Sequence, residues 1–277
     1  MNPQASASAG PGSMITSLWQ NRGLILRMTR RNLALRYKGS WMGILWSFLN
    51  PLLMLAVYGF MFLFVFRARW GLGDGADPNI AFVPILFTGL IIHAFFAEIV
   101  TSAPTLILSN VNFVKKIVFP LEILSVVSVA AALFNCFVAW IVLAFMQTFL
   151  GGQLHLTLLL FPMVVLPLAV FGLGLSWTLA SLGVFVRDVA QVSGFLATAA
   201  LFLSPIFFPV DALPQGLRPW IHLNPLTLIV EDARKVMIFG EIPNVIYLAI
   251  YLAVASIFAA TGFAIFQKMR KGFADVL

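Results

Sequence analysis

Few residues in this chain of 277 could perform covalent or proton-transfer chemistry, and their spacing argues against it. His93, His155 and His222 stand far apart and show no ligand spacing, so no metal site is expected. Glu231 and Asp232 are adjacent, which puts them on different faces of a helix and makes them poor acid–base partners. Cys136 is the single cysteine and lies in an uncharged stretch, so there is no disulfide framework. The phosphate-cradling pattern GxxxxGK followed by Ser or Thr is missing, and no Gly-Lys dipeptide occurs. Glu98 is different: it is a lone acid inside a long apolar stretch. Such acids usually face protein or a water-filled cavity. Glu98 also lies near the end of its stretch, within reach of headgroup depth, and both readings stay open.

The elements that must position these residues are set by composition. The chain is 61% hydrophobic and only 10% charged, with a mean hydropathy of +0.99. A soluble domain carries roughly 25% charged residues, so most of this surface must face lipid. Charge-poor stretches long enough to cross a bilayer predict six spans, at about 42–66, 80–103, 120–150, 156–186, 189–210 and 244–267. An even number places both termini on one side. Twelve basic residues (Arg22, Arg27, Arg30, Arg31, Arg36, Lys38, Lys115, Lys116, Arg187, Lys268, Arg270 and Lys271) then share the side of the termini. Five (Arg67, Arg69, Arg218, Arg234 and Lys235) fall opposite. The positive-inside bias makes the termini cytoplasmic. The net charge of +7 is thereby explained by topology, and no basic surface is left for nucleic acid.

Three segments lie outside the spans. Residues 1–13 are small, polar and Pro/Gly-bearing, which predicts a disordered tail with no cleavable signal. Residues 14–38 predict an amphipathic helix on the cytoplasmic membrane surface. Arg27, Arg30, Arg31 and Lys38 form its basic stripe, with Trp19 at the boundary and Ile15, Leu18, Ile25, Leu26 and Leu33 opposite. A simple topogenic charge cluster is the other reading. Arg22 and Arg36 interrupt the apolar side and would have to snorkel. Residues 204–243 combine Pro205, Pro209, Pro214, Pro219 and Pro225 with many apolar side chains. Prolines exclude one continuous helix. The apolar content predicts broken helices re-entering the outer leaflet, followed by an interfacial helix over Leu226–Phe239.

Four blocks of residues resemble a known family: TRRNLALRYKGSWMGILWSFLNPLLMLAVYGFMF (29–62), FVKKIVFPLEILSVV (113–127), VFVRDV (184–189) and SPIFFPVDALPQGLRPWIHLNPLTLIVEDARKVM (204–237). In this order they resemble the ABC-2 type polysaccharide export permeases, in particular the transmembrane subunits of O-antigen and teichoic acid exporters. The resemblance implies an all-α integral membrane domain over 39–277. It also implies pairing with a second copy and with two copies of an ABC ATPase that binds ATP and Mg, so this chain needs no cofactor. A lipid-linked polysaccharide would be moved across the cytoplasmic, or inner, membrane. Exporters of capsular glycan, drugs or small lipids share the topology. A membrane enzyme acting on a polyprenyl-linked sugar is disfavoured by the shortage of polar groups in the spans.

Under this resemblance Asn110, Val111, Phe113, Val114, Lys115 and Lys116 correspond to the coupling helix that docks on the ATPase; otherwise the lysines only enforce topology. Arg187 and Asp188, at the turn between spans four and five, either anchor that turn or make a gating contact with the neighbouring subunit. The 27 Phe and 7 Trp exceed what lipid contact requires. A sugar polymer presents flat C–H faces that aromatic rings hold weakly. Trp46, Tyr58, Phe62 and Phe66 on span one, with Phe202, Phe207 and Phe208, are the expected path; the alternative is that they only pack helices or meet lipid.

Overall fold

The computed structural model describes residues 10–36, 38, 40–65, 78–115, 119–149 and 154–277. The N-terminal helices α1 (Pro11–Gln20) and α2 (Arg22–Arg36) precede α3 (Trp46–Phe60), which runs on through a π-helical turn, Met61–Val65. Then come α4 (Pro78–Ser102), α5 (Val111–Lys115), α6 (Ile123–Phe149), α7 (Phe161–Phe185) and α8 (Val189–Leu203). The chain closes with α9 (Arg218–His222), α10 (Thr227–Arg234), α11 (Val245–Met269) and α12 (Phe273–Val276). No strand occurs among the described residues.

Four helical runs among these residues are long and apolar enough to cross a membrane: Phe82–Thr105, Ile123–Thr148, Leu156–Phe185 and Val245–Val276. They coincide with the expected spans two, three, four and six. The expected spans one and five appear as shorter apolar helices, Trp46–Phe60 and Val189–Leu203. At about 1.5 Å per residue, a helix the length of α8 falls short of the roughly 30 Å hydrocarbon core. It was expected to reach residue 210 but stops at Ser204, because Pro205 cannot continue a helix.

Small residues let the two longest-packed helices approach closely. A Cβ added to Gly174 of α7 would sit 2.7 Å from the Ala259 Cα of α11, and Gly262 faces the Gly174 backbone. In lipid, such close approach replaces the hydrophobic drive that water would supply. The main core gathers α4, α6, α7 and α10 around Phe95, Phe161, Leu168 and Val230. A second cluster joins Met28, Ile107, Leu121, Trp177, Phe266 and Phe273, so the N-terminal helices, the α4–α6 connection and the C-terminus share one end of the bundle.

The segments outside the spans differ from expectation in three ways. Residues 1–9 of the expected tail lie outside the described residues, but Pro11 opens α1, a position that suits its fixed φ. The expected single surface helix is two, broken at Asn21, whose side chain caps α1 by donating to the Ser17 carbonyl at 2.8 Å. Ile15 and Leu26, expected on the apolar side, are uncovered by protein, as lipid-facing residues would be, and Met28 packs into the second cluster. Finally, Leu226–Phe239 is packed into the protein along much of its length. Ile229, Val230, Ala233, Val236 and Met237 are fully buried, and Asp232, Arg234 and Lys235 find partners inside the protein. Lys235 Nζ donates to Asp232 Oδ1 at 2.8 Å. Arg234 donates to the carbonyls of Ile85 at 3.2 Å and Ile206 at 2.9 Å.

Candidate substrate cavity and coupling face

A cavity of about 700 Å³ lies between α3, α4, α6 and α8. Its lining changes character along α3: Arg36, Ser40, Trp46 and Asn50 come first, then Met54 and Tyr58. Along α4 the order runs from Glu98 through Phe95 and Ile91 to Phe87. One end is therefore polar and the other mostly apolar, with Tyr58 in its wall.

Glu98 anchors the polar end. Its Oε1 accepts from Arg36 Nη2 at 2.6 Å, and Asn135 Nδ2 lies 3.2 Å from Oε1 and 2.9 Å from Oε2. The side chains of Arg36 and Glu98 are 39% and 24% exposed, so protein does not enclose the pair. Glu98 thus lines the cavity and is paired there. Arg36, expected to snorkel, is paired with this carboxylate. His93, in the same wall, bonds through Nε2 to the Ala197 carbonyl at 2.8 Å and ties α4 to α8.

Beyond the apolar end the expected aromatics converge. Phe207 stacks on Phe62 with centroids 5.3 Å apart, and lies 6.4 Å from Tyr58 and 5.8 Å from Phe202. Phe62 also meets Phe82 at 5.7 Å. Trp46 is half-buried in the cavity wall, and Phe208 is half-buried near the cluster in sequence but lies outside these ring pairs. Phe66 lies outside the described residues. The backbone of the Pro-broken segment is held by protein: Asn224 Nδ2 donates to the Leu203 carbonyl at 3.0 Å, and Tyr251 to the Pro225 carbonyl at 3.0 Å.

At the other end of the bundle, Asn110 closes a short turn (Leu108–Asn110) and α5 carries Val111, Phe113, Val114 and Lys115. Phe113 stacks on Phe119 at 4.5 Å and packs on the core with Val114, so it faces inward more than a docking knob would. Asn112 and Lys115 are the exposed positions, and Lys115 Nζ donates to the carbonyl oxygen of Leu277. Lys116 lies outside the described residues. Arg187 and Asp188 are both exposed at the α7–α8 turn. Arg27, Arg30 and Arg31 are exposed on α2, and the Arg22 guanidinium sits 4.9 Å above the exposed Trp19 ring.

Sequence reasoning missed Glu122, which organises this end. It is 3% exposed and accepts from Ser17 Oγ at 2.8 Å and Arg270 Nη1 at 2.9 Å. Arg270 Nη2 also donates to the Phe119 carbonyl at 2.9 Å, and Trp177 Nε1 to the Glu122 carbonyl at 2.9 Å. The Glu122 carboxylate thus joins α1 to the C-terminal end of α11, and its backbone carbonyl takes the bond from α7. An acid at the start of an apolar run was visible; partners more than 100 positions away were not.

A family model described as ABC-2 type transporter matches residues 23–238. The chain is 28% identical over 264 residues to the O-antigen export system permease protein RfbA of Myxococcus xanthus, covering 95% of this chain and 98% of the relative. It is 29% identical to the protein of the same name from Klebsiella pneumoniae, covering 92% and 95%. The polysialic acid transport protein KpsM of Escherichia coli is 24% identical, covering 81% and 86%.

Proposed function

The chain belongs to the ABC-2 type transporter family, and on that premise we propose that it is the transmembrane subunit of an ATP-driven exporter of lipid-linked, O-antigen-like polysaccharide. The observation that carries the reading is the end-to-end similarity to O-antigen export permeases, 95% of this chain against 98% of the relative. A drug-export reading rests on a daunorubicin resistance permease that matches only 26% of this chain.

In this reading the chain crosses the cytoplasmic membrane six times, with α3 and α8 as spans one and five and both termini in the cytoplasm. The Pro-broken segment dips into the outer leaflet. Two copies form the channel and two ATPase subunits bind ATP and Mg; α5 carries the ATPase stroke into the spans. The shared end built around Glu122 supports that role, since a displacement at α5 acts on helices fastened to the side chain and carbonyl of one residue. The aromatic cluster of Tyr58, Phe62, Phe202 and Phe207 supports a path on which sugar faces slide without a tight stop.

The test is deletion and reconstitution. Loss of this chain should strip the polysaccharide from the cell surface and leave lipid-linked glycan accumulated inside. The purified complex with its ATPase should hydrolyse ATP faster when that glycolipid is added. Surface glycan that persists without the chain, or stimulation only by small drugs, overturns the reading.

A further inference from the structure

The cavity has a feature that the aromatic path does not use. Its polar end holds an ion pair that is set up for exchange. Glu98 is held twice, by Arg36 and by Asn135 Nδ2, which reaches both carboxylate oxygens at 3.2 and 2.9 Å. Arg36 among the described residues is held only by Glu98, through one Nη2 at 2.6 Å. A guanidinium has five N–H donors in a planar fork suited to two oxygens of a phosphate. The remaining donors of Arg36 are available to an incoming anion, and its side chain is 39% exposed to receive one. If Arg36 turned to a phosphate, Glu98 would keep the Asn135 amide and so would not be stranded.

The rest of the lining says what the anion is attached to. Away from Arg36 the wall becomes Met54, Phe87, Leu90, Ile91 and Leu201, which suits hydrocarbon and offers little to a soluble anion. The volume of about 700 Å³ lies in the range of small-molecule sites. Near the polar end stand Trp46 and Asn50, a flat ring and an amide, which suit a sugar beside the phosphate; a bilayer phospholipid needs neither. We propose that this cavity is a lipid-phosphate site, in which Arg36 takes the phosphate head of the lipid-linked glycan in exchange for Glu98 and the apolar wall receives the adjoining hydrocarbon. The identity of the lipid rests on the export reading above; the exchange itself rests on the geometry.

The experiment uses the full chain, purified in detergent, and a fluorescent isoprenyl pyrophosphate as probe. Competitors are the matching uncharged isoprenol, isoprenyl pyrophosphoryl hexose and phosphatidylglycerol. Arg36→Gln should weaken probe binding by about tenfold, the scale of one lost charge-assisted contact. Glu98→Gln should tighten it severalfold, because the competing negative charge is gone. Opposite signs from two partners of one ion pair cannot come from misfolding. The hexose-bearing lipid should displace the probe best, and the alcohol and phosphatidylglycerol poorly.

The site is overturned if both variants weaken binding, if Arg36→Gln leaves it unchanged, or if the alcohol or phosphatidylglycerol competes as well as the sugar lipid. Failure of the export reading looks different. In that case the opposite effects of Arg36→Gln and Glu98→Gln persist in the purified chain, while cells lacking the chain still display their polysaccharide.

Discussion

Tyr58 and Phe62 stand at the centre of the proposed path along α3. Neither ring faces lipid alone: both approach Phe207, and Phe62 stacks on it at 5.3 Å. Replacing Tyr58 and Phe62 together by Ala should lower glycan export severalfold while basal ATP hydrolysis persists, since the ATPase is untouched. Unchanged export in correctly inserted protein would leave the rings as packing only. Glu122 makes a sharper prediction about stability. Arg270→Met leaves a carboxylate that is 3% exposed with a serine hydroxyl as its remaining side-chain partner. Removing one member of a buried pair costs about 3 kcal/mol or more. Thermal unfolding in detergent should show a clear fall for Arg270→Met, and a smaller one for Ser17→Ala, which removes only a neutral donor. Equal, negligible shifts would mean that water replaces the lost partner.

Among elements, α5 carries the coupling proposal. Phe113 is stacked on Phe119 and packed on the core, so Phe113→Asp would damage the fold as well as any ATPase contact. The exposed Asn112 separates the two effects. A bulky Asn112→Trp should cut the amount of ATPase that co-purifies, by about tenfold if the contact is close-packed, with no change in thermal stability. Full retention of the ATPase would move the docking surface off α5. The same distinction applies to α10. Its sequence reads as interfacial because four charged residues fall within Glu231–Lys235, yet Asp232, Ala233 and Arg234 are buried. Side-chain charge alone could not show that carbonyls of Ile85 and Ile206 would be waiting for Arg234.

For the whole molecule, the exposed apolar faces of α3 and α8 bear on assembly. Val57 is 59% exposed on α3, and Phe195 and Phe202 are exposed on α8. Leu201, by contrast, lines the cavity and is poorly placed for a contact between copies. If spans one and five form the two-fold interface, Val57→Cys and Phe195→Cys should each crosslink to the same position in a second copy at high yield. Absence of both products would place the interface elsewhere.

The sequence by itself determined the class of this protein, because hydropathy and the scarcity of charge are local properties that each stretch carries without its neighbours. Spans two, three, four and six, the proline breaks after α8 and the absent phosphate loop were all legible there. Span-one aromatics could be placed on one helical face by counting, but their meeting with Phe207 could not. Tertiary structure alone decided three things. It turned Arg36 onto Glu98 at the mouth of a cavity. It gathered Ser17, Glu122, Trp177 and Arg270 at one end, and it drew α10 into the core. Each depends on which distant carbonyl, carboxylate or amide comes within about 3 Å of a charge, and that is set by how the helices pack rather than by the order of residues along any one of them.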